Sequence, residues 1–203
     1  ACLACAEARL AREDRDAATA IFDTLATMDL PGPSKLAAVR GAILARQAAG
    51  VERLAEEIES DDPSRFAMAL SVSRELPAGE VSQAVAKLLP VASAQRQSAL
   101  LKLLEGLKEV SVRPAVLELL KSPEPTVRAA AIRSLSTLGD AGTLAVLYEA
   151  AGDPDPTVAA AARDTLVTMT HSDVDAAVMA MFEKAEGGAR VLLLDLLGQR
   201  RIV

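Results

Sequence analysis

Apolar residues between positions 172 and 185 recur on a helical period. Val174, Ala177, Val178, Met181, Phe182 and Ala185 fall at i, i+3, i+4, i+7, i+8 and i+11, one continuous stripe down a helix. Ser172 and Asp175 fit a capping-box-like start, with the Ser172 hydroxyl accepting from the backbone ahead of it. The same period marks helices near 112–121 (Val112, Val116, Leu119, Leu120) and 143–151 (Leu144, Leu147, Ala151), with others near 80–90 and 51–59. A second kind of helix opens on a breaker pair such as Asp153-Pro154 or Glu124-Pro125. Proline is tolerated in a first turn because its missing N–H would have no intrahelical acceptor there. Gly139-Asp140, Gly152-Asp153 and Gly187-Gly188 mark the connections. At about two to five residues, such loops force neighbouring helices to run antiparallel.

The pattern repeats. Residues 123–135 and 154–166 coincide at an offset of 31 in two prolines, Thr, Val, three alanines and Leu. A further 31 residues on, Ala189, Val191, Leu192, Leu193 and Leu197 take the same template positions, and 31 residues back Ala99, Leu100, Leu101 and Leu104 do. Pro63-Ser64, followed by Ala67, Met68, Ala69 and Leu70, is an earlier copy, and a weaker one starts at Pro33-Ser34. Each period carries two helices. A lone helical hairpin cannot bury its apolar face, whereas stacked hairpins bury one another's.

Composition agrees with that reading. Of 203 residues, 41 are alanine, whereas aromatics amount to three Phe, one Tyr and no Trp. Close-packed helices can be built from Ala, Leu and Val, but a β-sandwich needs β-branched and aromatic side chains. The expectation is an all-α fold: a right-handed α-solenoid of about six stacked antiparallel helix pairs, on the order of 50 Å long from the usual interhelix spacing. Residues 1–203 are read as one solenoid, with irregular N-terminal helical hairpins over 1–62 and regular repeats over 63–203. No apolar stretch has the ~18 residues a bilayer span requires. The chain opens at Ala1 and closes on Ile202-Val203 inside an apolar pattern, so both ends read as interior to a longer protein.

The phrases Pro-Glu-Pro-Thr-Val-Arg-Ala-Ala-Ala (123–131) and Asp-Pro-Asp-Pro-Thr-Val-Ala-Ala-Ala-Ala (153–162) resemble the first helix of HEAT repeats. The period is similar to that of the short HEAT-like repeats of the phycobilisome-lyase type. The family's acidic residue before proline falls on Glu124 and Asp155, and its Val-Arg pair on Val127-Arg128. The next copy departs from this, with Ala159 in place of the arginine. Around the turn Glu13-Asp14-Arg15-Asp16, the residues Ala6, Ala8, Ala17, Ala18, Ala20, Ile21, Phe22 and Leu25 also resemble a tetratricopeptide-type hairpin. HEAT arrays usually act as protein-interaction scaffolds, with second helices lining the concave side, and Ala-rich ones resemble parts of large bacterial multidomain proteins. The resemblance therefore implies binding.

Candidate chemistry is sparse. Cys2 and Cys5 lie at helical spacing, but a redox or metal role would want a second ligand pair, so they read as buried or terminal thiols. The lone His171 stands beside Asp173 and Asp175, where a metal or acid–base reading competes with that of helix-start residues suited to the positive dipole end. Glu149, Asp153 and Asp155 form an acidic corner that lacks the ligand number and glycine of a calcium loop. The run Glu52, Glu56, Glu57, Glu59, Asp61 and Asp62 reads first as a solvent face and second as a patch for a basic partner. Neither G-x-G-x-x-G nor a Walker pattern occurs. No catalytic, cofactor-binding or metal-ligating residue is assigned, and no cofactor.

Charge bears on the partner. The net charge is −6, of which −5 lies in the first 62 residues, and the longest basic run is Arg200-Arg201. A phosphate-backbone ligand wants a denser Lys/Arg surface, so nucleic acid is disfavoured, as is a membrane. The expected function is a non-catalytic interaction or scaffold module, binding a protein partner or neighbouring domains of its own chain. Glu118, Lys121, Tyr148, Glu149, Glu183 and Lys184 are the candidate contact residues on second helices. Tyr148, the single tyrosine, is either a binding anchor or a side chain packed between helices with its hydroxyl at the rim. The resemblance keeps two alternatives: a HEAT-like bilin lyase or isomerase, which would want aromatic or acid–base groups around a pocket, and a glycosylase-like DNA-binding HEAT protein, which would want a basic groove. The molecule is expected to be a monomer. Its apolar C-terminal face (Val191, Leu192, Leu194, Leu196, Ile202, Val203) offers a dimer as the alternative.

Overall fold

The computed structural model describes residues 1–202 and is all-helical: thirteen α-helices and no strand among the described residues. Its contacts group the chain into two compact units, 1–88 and 89–203.

The first unit contains α1 (Cys2–Ala11), α2 (Arg15–Thr27), α3 (Gly32–Arg46), α4 (Val51–Glu59), α5 (Pro63–Val72) and α6 (Ala78–Leu88). α2 packs along both α1 and α3. Phe22 is fully buried there in a setting of small residues, Ala6, Ala18, Ala42 and Ala45, with Leu3, Leu10 and Ile21 at the edge. One large ring thus fills what four alanines leave open. Gly41 of α3 faces that ring, and a Cβ at this position would land on it. Asp62 caps α5, its carboxylate accepting from the Ser64 N–H at 2.8 Å, and Pro63 occupies the first turn as expected. The acidic run of this unit is not a uniform solvent face. Glu57 is fully buried on the inner side of α4, because its place in the helix period puts it beside Leu54 and Ile58.

The second unit contains α7 (Ala94–Leu107), α8 (Arg113–Glu118), α9 (Pro125–Leu138), α10 (Leu144–Ala150), α11 (Pro156–Thr168), α12 (Val174–Lys184) and α13 (Gly187–Arg200). The first helices of successive hairpins, α7, α9 and α11, pack side by side. Their buried leucines and Ile132 form the core with Leu144 and Leu147 of α10. The alanine runs lie here: Ala129 and Ala131 of α9 and Ala159, Ala161 and Ala162 of α11 are buried, where small side chains let helices approach closely.

Arginines tie the hairpins of this unit together at helix C-termini, where orphan carbonyls and the negative dipole end attract cations. Arg113 donates through Nε to the Leu138 carbonyl at 2.6 Å and pairs with Asp140. Arg163 donates to the Ala151 carbonyl at 2.9 Å. Arg200 reaches the Leu166 and Val167 carbonyls at 2.8 and 2.9 Å while pairing with Asp175.

Several helix starts differ from the sequence reading. α11 begins at Pro156 rather than at Pro154, because Asp155 caps it by accepting from the Thr157 and Val158 N–H groups at 2.8 and 3.2 Å. Glu124 precedes α9 without a side-chain capping bond. α12 begins at Val174, so Ser172 is not its cap; Asp173 holds that position and turns its carboxylate to the Ala141 N–H instead. Gly187-Gly188 opens α13 rather than ending a loop, with Gly187 at φ +56°, a conformation glycine adopts without strain.

Candidate functional site

In the second unit the first helices pack closely, while the second helices α8 and α10 are only 6 and 7 residues long. Between these short helices lies a cleft of about 560 Å³. Leu117 and Leu120 form one wall, Val146 and Ala150 the other, and Ile132 and Val158 contribute from the first helices beneath. Most of this apolar lining is half-buried, as a groove surface is.

The polar groups of the cleft come from both walls. Arg128 and Asp153 make a two-bond pair, with Nη2–Oδ1 at 3.1 Å and Nε–Oδ2 at 3.2 Å, and their side chains are 18% and 16% exposed. Arg128 is further fixed by donating to the Ser122 and Pro123 carbonyls, and Asp153 by accepting from the Asp155 N–H at 2.8 Å. That backbone N–H, with the Arg128 guanidinium second, holds the Asp153 carboxyl below the ordinary carboxylate value. At the rim, Lys121 and Glu118 pair at 2.9 Å but are 74% and 70% exposed, so the pair contributes little and is free to exchange partners. Glu149 is exposed and has no ion-pair partner among the described residues.

Glu118, Lys121 and Glu149, three of the six candidate contact residues, therefore line one cleft. The other three do not. Tyr148 is half-buried on α10 outside the cleft lining, and Glu183 and Lys184 are exposed at the end of α12. Sequence reasoning missed Arg128 and Asp153 as a pair. The signal was present in the Val127-Arg128 position of the repeat, but the spacing names no partner for the arginine, which reaches Asp153 in the next hairpin. Asp153 and Asp155 are both spent on structure, so the acidic corner with Glu149 is not an open oxygen cage.

The remaining chemistry-bearing residues lie apart from the cleft. Cys2 and Cys5 are both exposed, free thiols on α1. His171 Nδ1 contacts the Asp173 carboxylate, while Asp175 is taken by Arg200. Among the described residues no group of three or more His, Cys, Asp or Glu side chains is placed to hold a metal ion, and no helix is long and apolar enough to cross a membrane. On α13, Val191 and Leu194 are exposed at 68% and 59%. Leu192 and Ile202 are half-buried. Leu196 is buried against the unit, contrary to expectation, because it shares the inner face with Leu193 and Leu197. Val203 lies outside the described residues.

No curated protein is similar to the chain in sequence. Among solved structures, the complex of CpcE and CpcF of phycocyanin lyase from Nostoc sp. PCC7120 matches with a TM-score of 0.40 and 15% identity, over 98% of this chain and 88% of that one. The family model described as HEAT repeats matches residues 82–167, the stretch that supplies every residue of the cleft. Residues 82–167 of this chain are thus similar to HEAT repeats.

Proposed function

We propose that the chain is a non-catalytic protein-interaction module and that the cleft between α8 and α10 is where a partner polypeptide docks. The observation that carries this reading is the cleft's make-up: apolar walls on two short helices, a rigid Arg128–Asp153 pair, and a rim carboxylate, Glu149, without an ion-pair partner. Apolar surface supplies affinity, and the fixed and free charges supply orientation and specificity. Glu118 and Lys121 contribute exchangeable rim charges. Tyr148, Glu183 and Lys184 belong to the wider surface on which the partner extends.

The test is site-directed photocrosslinking. A photoreactive amino acid at Val146 in the cleft wall is compared with one at Arg133, exposed on α9. The expected result is a defined protein crosslinked from position 146, absent from position 133, and lost when Glu149→Lys is added. Equal crosslinking from both positions, or none that depends on Glu149, would refute the cleft as the docking site.

A further inference from the structure

The first unit holds a second cavity whose electrostatics differ from the cleft. It measures about 480 Å³, within the range of small-ligand sites, and lies where the first turns of α3 and α5 approach α4. Ala26, Leu36 and Val39 form its apolar side, and Lys35, Arg53 and Arg65 its cationic side.

Arg65 is held by a buried anion, and Arg53 stands at ion-pair distance from it. Arg65 donates to both oxygens of Glu57, through Nε at 2.6 Å and Nη2 at 2.9 Å, and Glu57 is 0% exposed. Arg53 Nε stands 3.4 Å from the same carboxylate and 3.5 Å from Glu56, too far for a direct bond. The Arg53 and Arg65 side chains remain 45% and 42% exposed, so each is anchored from beneath while part of its guanidinium faces the cavity. A buried carboxylate contributes little to stability when an apolar residue could replace it. What it does here is orient the Arg65 fork, with Arg53 drawn to the same carboxylate at ion-pair distance. Lys35 is exposed and has no ion-pair partner among the described residues. The opposing charge in the lining is Asp62, one oxygen of which is already committed to the Ser64 N–H. Of the rest of the acidic run, Glu56 and Glu57 face Arg53 and Arg65 from outside the lining, and Glu52, Glu59 and Asp61 do not line the cavity.

Lys35, the part-exposed Arg53 and the Arg65 nitrogen left over from Glu57 line one concave space, and charged N–H donors so placed match the oxygens of a compact anion. We propose that this cavity binds the phosphoryl group of a small phosphate monoester, with the organic part of the ligand against Leu36 and Val39. Lys35, Arg53 and Arg65 hold the oxygens, and Glu57 positions Arg65.

Titration calorimetry of the whole chain with phenyl phosphate, inorganic phosphate and benzoate at matched ionic strength tests this. Saturable binding of phenyl phosphate with a dissociation constant of about 1 mM or tighter is expected, with inorganic phosphate weaker and benzoate weaker still. The double variant Lys35→Gln, Arg53→Gln should lower the affinity about tenfold or more. Arg65 is left in place, so Glu57 keeps its partner and the fold is retained, which circular dichroism checks. An Arg133→Gln variant, which removes an exposed cation in the other unit, should leave phosphate binding unchanged. Absence of saturable binding, equal affinity for benzoate, or undiminished binding by the double variant would overturn the proposal.

Discussion

Replacing Gly41 by alanine sets two effects of known size against each other. Gly41 lies inside α3, and alanine in a helix interior is more favourable than glycine by about 1 kcal/mol. On propensity alone the variant should be more stable. The added Cβ, however, falls on three atoms of the Phe22 ring, which is 1% exposed and ringed by Ala6, Ala18, Ala42 and Ala45. A buried ring in that setting has no free space into which to swing. Overpacking of this kind costs about 1–3 kcal/mol, and three ring atoms argue for the upper part of the range. The net expectation is a loss of about 1–2 kcal/mol. A cycle with Phe22→Leu isolates the cause. The leucine gives up ring volume at a cost of about 1 kcal/mol, and in its presence Gly41→Ala should be neutral or stabilising. Urea unfolding followed by far-UV circular dichroism measures all four proteins, with the change read from the midpoint and slope. A raised midpoint for Gly41→Ala alone, or the same loss with and without Phe22, would refute the packing argument.

Helix caps and the cleft pair supply two further predictions. Asp155→Ala removes the acceptor for the Thr157 and Val158 N–H groups and should cost about 1 kcal/mol in urea unfolding, whereas Glu124→Ala should stay within about 0.5 kcal/mol because Glu124 makes no side-chain cap. Asp153 titrates below its ordinary value of 3.8 in the folded state, so between the two values the unfolded chain binds more protons and stability rises with pH. Its contribution is therefore complete above the ordinary carboxylate range and is lost as pH falls through the lowered folded value. Asp153→Asn should flatten the acid limb of the melting temperature, and an unchanged limb would show that the Asp155 N–H and Arg128 do not hold the carboxylate.

The helices themselves were legible because the information lies in spacing. Leu104, Leu135 and Leu166 sit one repeat apart, as do Val127 and Val158, and all are buried. Polar partners were less legible because they depend on side-chain reach across hairpins. Arg128 and Asp153 are 25 residues apart, as are Arg200 and Asp175, whereas Arg113 and Asp140 are 27 apart, so no one offset in the sequence announces them. Glu57 shows the converse. In a run of six acids its charge suggested solvent, but the 3.6-residue period placed it beside Leu54 and Ile58, and Arg65 eight residues later satisfies it.

The cleft follows from where the repeat departs from an even stack of helices. Pro114 lies in the first turn of α8, which is flanked by 3-10 turns at Val110–Val112 and Leu119–Lys121, and a 3-10 turn at Ala141–Thr143 precedes α10. Pro114 has no N–H to give the Val110 carbonyl, so α8 cannot run regularly back through Val110–Val112, the tighter winding shortens the regular part of α8 and α10, and a 3-10 turn presents side chains on a different period from the α-helix beside it. Leu117 and Leu120 therefore do not close onto Val146 as the first helices close on one another, and their half-buried surfaces line open space. Restoring regular α-helix there, with Pro114→Ala, should narrow the cleft before it changes the core, because the buried Val112 and Val116 already hold α8 against the first helices. Reduced crosslinking from position 146 with an unchanged urea midpoint would be the signature of that effect. A lowered midpoint would show instead that Pro114 serves the fold and that the cleft owes its width to something else.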